Sequence, residues 1–235
     1  MAILSLKQKV GLELDRQVRK NHKQLHPLRQ LFWECTLRCN LHCKHCGSDC
    51  KTEALAPDMP VEDFLKVIDE QVTPHVDTHE TMIIFSGGEP LARKDIEDIG
   101  VELYKREYPW GMVTNGMMFT EERFKRLCAA GLRSVAVSLD GKEEDHNWMR
   151  GHESSFKNAM RAIRLLASQQ QVVWDVVTCV NNRNVQYLPE LKEMLYEAGV
   201  RQWRLFTIFP AGRAKQHPDL QISDEEFRDL MEFIV

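Results

Sequence analysis

From residue 29 onward, short runs of apolar and β-branched residues alternate with stretches whose apolar positions recur every three or four residues. The first pattern predicts buried strands and the second amphipathic helices. Strands are expected at 31–34, 81–85, 111–114, 134–139, 172–180 and 203–207, with helices near 60–72, 94–107, 120–130, 154–169 and 187–198. Pro60 ahead of Glu62 and Asp63 suits a helix first turn. Gly131 and Gly199 suit helix stops. Ser223 with Glu226 three residues on makes a capping box that opens a further helix.

Six strand–helix repeats, at a spacing of roughly 25–40 residues, predict βα units and a parallel sheet. Right-handed crossovers curl such a sheet in one sense. The expected fold class is therefore α/β, a partial (β/α)6 barrel of the TIM type with an open parallel sheet. Its chemistry belongs on the loops that follow the C-terminal ends of the strands. Residues 1–28 read as a basic helical leader and 29–235 as the core domain.

Composition narrows the classes. The 235 residues carry 31 basic and 35 acidic side chains, a net charge of −4, which argues against general nucleic-acid binding. No apolar run reaches the length of a membrane span. The N-terminus has neither the apolar core nor the cleavage site of a signal peptide, so a cytoplasmic protein is expected. Charge is uneven: residues 1–30 are net +5 and residues 216–235 net −5, which reads as two solvated faces.

Seven cysteines change the picture more. Cys35, Cys39, Cys43, Cys46 and Cys50 fall within sixteen residues, and Cys128 and Cys179 stand apart in core-like patterns. An odd count without an export signal points to a reducing compartment and to metal or catalytic use. After the first strand, Cys39-x3-Cys43-x2-Cys46 lets three thiolates converge from one loop. Thiolates suit zinc or an iron–sulfur cluster. Structural zinc needs a fourth ligand, from Cys35, Cys50 or a nearby histidine. A cubane cluster on three cysteines keeps one iron open. Cys35 and Cys50 read either as local packing or as functional thiols.

After the second strand comes Ser86-Gly87-Gly88-Glu89-Pro90, whose glycines admit a ligand close to the backbone and whose Glu89 can receive an ammonium group. Thr114-Asn115-Gly116 follows the third strand, Ser138-Leu139-Asp140-Gly141 the fourth, and Phe209-Pro210-Ala211-Gly212-Arg213 the sixth. Taken singly, Asn-Gly and Asp-Gly are also ordinary turn formers.

Together these motifs resemble the radical S-adenosylmethionine superfamily, over roughly residues 29–215. The likeness is to the peptide- and protein-modifying branch, whose members often carry a C-terminal SPASM domain, with a weaker likeness to radical enzymes encoded beside small lipoproteins. The resemblance implies that Cys39, Cys43 and Cys46 ligate a 4Fe-4S cluster and that S-adenosyl-L-methionine chelates the fourth iron. It implies that Gly87, Gly88, Glu89 and Pro90 bind the methionine ammonium. Thr114 and Ser138 would lie by the carboxylate or ribose, with Asn115 and Asp140 as neighbours, and 209–212 would flank the adenine. His45 stands where the family usually has an aromatic residue near adenine.

The implied reaction starts with an electron from a flavodoxin- or ferredoxin-like donor. It cleaves the cofactor to methionine and a 5′-deoxyadenosyl radical, which takes hydrogen from a peptide or protein side chain. Two alternatives stand beside it: a radical enzyme acting on a small molecule in cofactor biosynthesis, and a non-catalytic zinc-binding module. No catalytic acid or base is assigned. Relatives with this pattern continue into a region holding auxiliary clusters. Here no cysteine follows Cys179 and the chain ends inside a helical pattern, so that region is expected to be missing.

Overall fold

The computed structural model describes residues 5–54 and 56–234. Six strands form one sheet: β1 (Gln30–Thr36), β2 (Met82–Gly87), β3 (Trp110–Thr114), β4 (Leu132–Ser138), β5 (Val173–Val180) and β6 (Trp203–Thr207). They lie in sequence order and every pairing is parallel. β1 and β6 are the two edges, so the sheet is open, as expected for a partial barrel.

The connecting helices are α1 (Leu6–Leu25), α2 (Val61–Val67), α3 (Ile96–Lys105), α4 (Glu121–Ala129), α5 (Glu143–Arg150), α6 (Ser155–Ala167), α7 (Leu188–Glu197) and α8 (Asp224–Ile234). The leader forms the helix α1; its first four residues, like Val235 at the other end, lie outside the described residues. α2 is shorter than its pattern suggested. A π-turn over Ile68–Val72 and a 3-10 turn over Thr73–His75 replace its last turns. Pro74 supplies no amide donor there, and Thr73 Oγ1 donates to the Ile68 carbonyl at 2.9 Å. The capping box holds: Glu226 N donates to Ser223 Oγ at 3.2 Å, and Ser223 N to Glu226 Oε2 at 2.7 Å.

α5 was not expected, although its signals are present. Glu143, Glu144 and Asp145 fill the first turn, Arg150 closes the last, and Gly151 stops it at φ +69°. Its apolar content is too low to stand out by periodicity.

The core lies between the sheet and the helices. Ile83, Phe85, Trp110, Val135 and Val176 point outward and are fully buried against Ile99, Leu103, Leu127, Ile163 and Leu191. The opposite, concave face carries the alternate residues. Phe32, Ile84, Ala136, Val173, Asp175 and Arg204 line a cavity of about 670 Å³ there. No helix among the described residues is long and apolar enough to cross a membrane.

Candidate metal and cofactor site

The cysteine loop leaves the end of β1, where the pairing with β2 slips between Glu34 and Thr36. It is closed on itself, with Cys39 N donating to Lys51 O at 2.7 Å and Lys51 N to Leu37 O at 3.3 Å. Two other segments clasp it. Lys44 N donates to Met149 O of α5 at 2.9 Å. From beyond β6, Arg213 donates from Nε to Cys43 O and from Nη1 to Cys50 O, both at 2.8 Å. Gly212, at φ +53°, allows this approach: a Cβ there would meet Gly47 O at 2.4 Å.

The result is a cavity of about 160 Å³ walled by Cys39, Cys43, Cys46 and Cys50 on one side and by Gly87, Gly88, Thr114, Asn115 and Ser138 on the other, with His45, Arg150 and Arg213 also in its wall. Loops after β1 to β4 and after β6 thus meet at one end of the sheet, where parallel α/β folds hold their ligands.

The two glycines answer first to the neighbouring backbone. Gly88 N donates to Thr36 O at 2.7 Å and Glu89 N to Arg38 O at 2.9 Å. A Cβ on Gly88 would fall 2.1 Å from Arg38 O, and one on Gly87, at φ +112°, 2.3 Å from Thr36 O. Any larger residue would push the cysteine loop away.

Glu89 sits differently from the sequence expectation. It is fully buried and accepts from Leu91 N at 3.1 Å, Thr114 Oγ1 at 2.9 Å and Asn115 N at 2.8 Å. Burial pushes its carboxyl up against those hydrogen bonds. Its structural role is to tie the Gly87–Pro90 turn to the Thr114–Asn115 turn, and the cavity wall at this point is Gly87 and Gly88.

Asp140 also lies behind the wall. It accepts from Arg150 Nε at 2.6 Å and from Cys179 N at 3.0 Å, with His45 Nε2 at 3.5 Å. Burial would raise its carboxyl, but Arg150 and then the nearby histidines hold it at about 2. Arg150 is the residue that sequence reasoning missed. From α5 it neutralises Asp140 and brings Nη1 to 3.9 Å from the Cys43 sulfur. Asn115 Nδ2 stands at the same 3.9 Å from the Cys39 sulfur and donates to Asn40 Oδ1 at 2.8 Å. The Nδ1 of His45 is buried and unpartnered. Phe209, expected near adenine, is largely exposed, and the wall residue from that turn is Arg213.

The thiols divide. Burial raises Cys39 to about 11 and also raises Cys43. A hydrogen bond from the Cys50 side chain outweighs burial at Cys46 and, with Arg213 adding, brings it below the usual thiol range. Cys35 belongs to the main core, with Sγ 3.4 Å from Ser86 O, and burial lifts it to about 12. Cys128 is half-buried on α4. Ligand atoms of Cys179, His45 and Asp140 lie within 4.8 Å of one another, but Arg150 already compensates that carboxylate.

The donor set fits a three-thiolate cluster. Three soft ligands converge from one loop, N–H groups of Arg150 and Asn115 aim at two of the sulfurs, and the rest of the cavity is walled by backbone, hydroxyl, amide and guanidinium groups suited to a polar ligand. A zinc ion held by four thiols would have no use for that second wall.

The family model described as the Radical SAM superfamily matches residues 33–195. An AdoMet-dependent heme synthase of Oleidesulfovibrio alaskensis is 29% identical over 208 residues, covering 86% of this chain and 51% of that protein. A PqqA peptide cyclase of Granulibacter bethesdensis is 24% identical over 185 residues, covering 78% of this chain and 48% of that protein. The structure of Streptococcus suis SuiB bound to S-adenosylmethionine aligns with a TM-score of 0.68 at 14% identity, over 100% of this chain and 54% of that one. The chain spans about half the length of the curated relatives it matches.

Proposed function

The chain belongs to the radical SAM superfamily, and from that premise we propose that it is the core of an enzyme that cleaves S-adenosylmethionine reductively and removes hydrogen from a peptide or protein side chain. Members of this family use a 4Fe–4S cluster with S-adenosylmethionine. The observation that carries the reading is the shared cavity, in which Cys39, Cys43 and Cys46 face Gly87, Gly88, Thr114, Asn115 and Ser138. The cluster, when bound, supplies the electron for sulfonium cleavage and so the hydrogen abstraction that follows.

The chain's own groups bind and orient. Cys39, Cys43 and Cys46 hold the metal. The backbone of Gly87 and Gly88 admits the cofactor's amino-acid end, and the hydroxyls of Thr114 and Ser138 offer hydrogen bonds. Arg150 and Arg213 bring positive charge to the wall, which suits a carboxylate-bearing ligand. A flavodoxin- or ferredoxin-like protein is the proposed electron source.

Substrate reaches the site through the concave face. Val113 lines both the cysteine cavity and the 670 Å³ cavity below it, so the two adjoin. The sheet stays open between β1 and β6, which leaves room for a polypeptide to thread past. The likeness to a peptide cyclase supports this reading. The likeness to a heme synthase supports a second one, a tetrapyrrole in cofactor biosynthesis.

The test is anaerobic reconstitution followed by dithionite, S-adenosylmethionine and chromatography of 5′-deoxyadenosine. A brown protein with about four irons and four sulfides that forms 5′-deoxyadenosine is expected. Stimulation by peptides supports the first substrate reading, and stimulation by an iron porphyrin the second. A zinc-loaded, colourless protein would refute the reaction class.

A further inference from the structure

We propose that the side chain of Asn115 sets the reduction potential of the cluster through the sulfur of Cys39, rather than binding the cofactor. The inference rests on the cluster site argued above and assigns a role to one residue of its wall.

Asn115 opens the Asn-Gly turn after β3, and half of its side chain is used by that turn. Oδ1 accepts from Met117 N, two residues on, at 2.9 Å. Met117 N can only donate, so the oxygen is fixed on that side and the amide nitrogen on the other. Nδ2 carries two hydrogens. One goes to Asn40 Oδ1 at 2.8 Å, and the other faces the Cys39 sulfur, with Nδ2 at 3.9 Å. The backbone N–H is taken as well, by Glu89 Oε2 at 2.8 Å. No N–H of Asn115 is left for the carboxylate of S-adenosylmethionine, which can only accept. Asn115 is buried, where a hydrogen bond is electrostatically stronger than in water.

The same pattern recurs at the other two ligands. The Cys43 sulfur faces Arg150 Nη1 at 3.9 Å, and the Cys46 sulfur faces the backbone amide of Cys50 at 3.4 Å. The three donors come from three different parts of the chain. Arg150 also neutralises Asp140, and a backbone amide cannot be exchanged. Of the three, Asn115 alone is a neutral side chain whose donor can be removed without unpairing a charge.

Reduction adds one negative charge to the cluster. An N–H aimed at a ligand sulfur stabilises that charge and so raises the potential. Asn40 holds the amide in the orientation that turns its second hydrogen toward Cys39. Asn115 thereby eases reduction by the electron donor. It is a positioning residue, since it acts through the Cys39 sulfur and touches no reacting atom.

The experiment compares wild type, Asn115→Leu, Asn115→Asp and the control Cys128→Ser after anaerobic reconstitution. Asn115→Leu removes the donor at similar volume. Asn115→Asp keeps an oxygen for Met117 N, so the turn survives, and puts a carboxylate oxygen where Nδ2 stood. Iron and sulfide are assayed, a redox titration is followed by electron paramagnetic resonance, and S-adenosylmethionine binding is measured by calorimetry. Iron and sulfide should match wild type in all four. At the wild-type midpoint, Asn115→Leu should show a ratio of reduced to oxidised cluster about tenfold lower, a shift of about 59 mV to more negative potential. Asn115→Asp should shift further in the same direction, and Cys128→Ser should titrate with wild type. Cofactor affinity of Asn115→Leu should fall by less than about tenfold, the least loss expected where a hydrogen bond to a charged group is removed. An unchanged potential in both variants at full iron content overturns the tuning role. A larger loss of affinity makes Asn115 a cofactor contact, and loss of the cluster in both variants makes it a structural residue; either result overturns the role and leaves the three-cysteine site standing. A wild type that takes up no iron and sulfide overturns both.

Discussion

Arg150 and Cys43 meet across the site: the guanidinium Nη1 lies 3.9 Å from the sulfur, while Nε donates to Asp140 at 2.6 Å. A single buried cation thus serves a thiol on the cysteine loop and a carboxylate after β4. Asp140 lies ten positions before it, but Cys43 lies 107 positions away.

Replacing Arg150 with methionine leaves Asp140 buried and unpaired, which should cost about 3–5 kcal/mol. Arg150→Lys keeps the charge but loses the fork, so the protein should fold and take up iron with a more negative cluster potential, as donors to sulfur raise it. Denaturant unfolding and redox titration check the two halves. A methionine variant as stable as wild type would show that the ion pair contributes little.

Cys43→Ser should abolish cluster assembly, because it removes one of three converging thiols. Cys128→Ser, on α4 and outside the cavity wall, should leave iron and sulfide content unchanged. Metal analysis and visible absorbance after reconstitution read both. Full colour in Cys43→Ser would remove that residue from the ligand set.

Glu89→Ala should act on the fold of the loops before it acts on the cofactor. Three donors lose a buried charged acceptor, and hydrogen bonds to charged groups contribute about 1.5–3 kcal/mol each. Glu89→Gln keeps the shape and one acceptor oxygen, so it should recover part of the stability. Calorimetric titration with S-adenosylmethionine should show weakened binding in the alanine variant, alongside a lower melting temperature. Weakened binding at unchanged stability would instead argue for direct contact with the ligand.

Acid should unfold the protein partly through His146. This histidine is completely buried, with Nδ1 accepting from Asp140 N at 3.0 Å and Nε2 at 3.0 Å from Ser155 Oγ. Accepting at Nδ1 places the ring proton on Nε2, so a second proton would break the Asp140 contact. Burial first and Arg150 second lower it from 6.5 to about 3. The unfolded chain therefore takes the proton before the folded one does. The stability this group contributes is complete above pH 6.5 and falls as pH drops from there toward about 3, by at most about 1.4 kcal/mol per pH unit. Urea midpoints at pH 7, 6 and 5 should fall less steeply in His146→Gln than in wild type. Parallel slopes would mean that His146 titrates normally in the folded protein.

The order of strands and helices was legible in the sequence, because each βα unit buries one sheet face against one helix stripe and both periods are local. The cysteine spacing was legible for the same reason: Cys39, Cys43 and Cys46 belong to one short loop, and their convergence needs no distant partner. What tertiary structure decided is the rest of the site. Periodicity could not separate Cys50 from Cys35, since both are buried cysteines beside the loop; only the Asp49 turn and the Arg213 clasp, from a residue more than 160 positions away, bring one of them to the cavity. Arg150 went unseen because α5 is short and polar, and its partner Cys43 comes from a loop 107 positions away. Glu89 was read as a ligand group, yet it turns inward, because three amide and hydroxyl donors from two adjacent turns need one buried acceptor. A short motif determines which groups are available. Packing between loops determines which of them face the ligand and which hold the others in place.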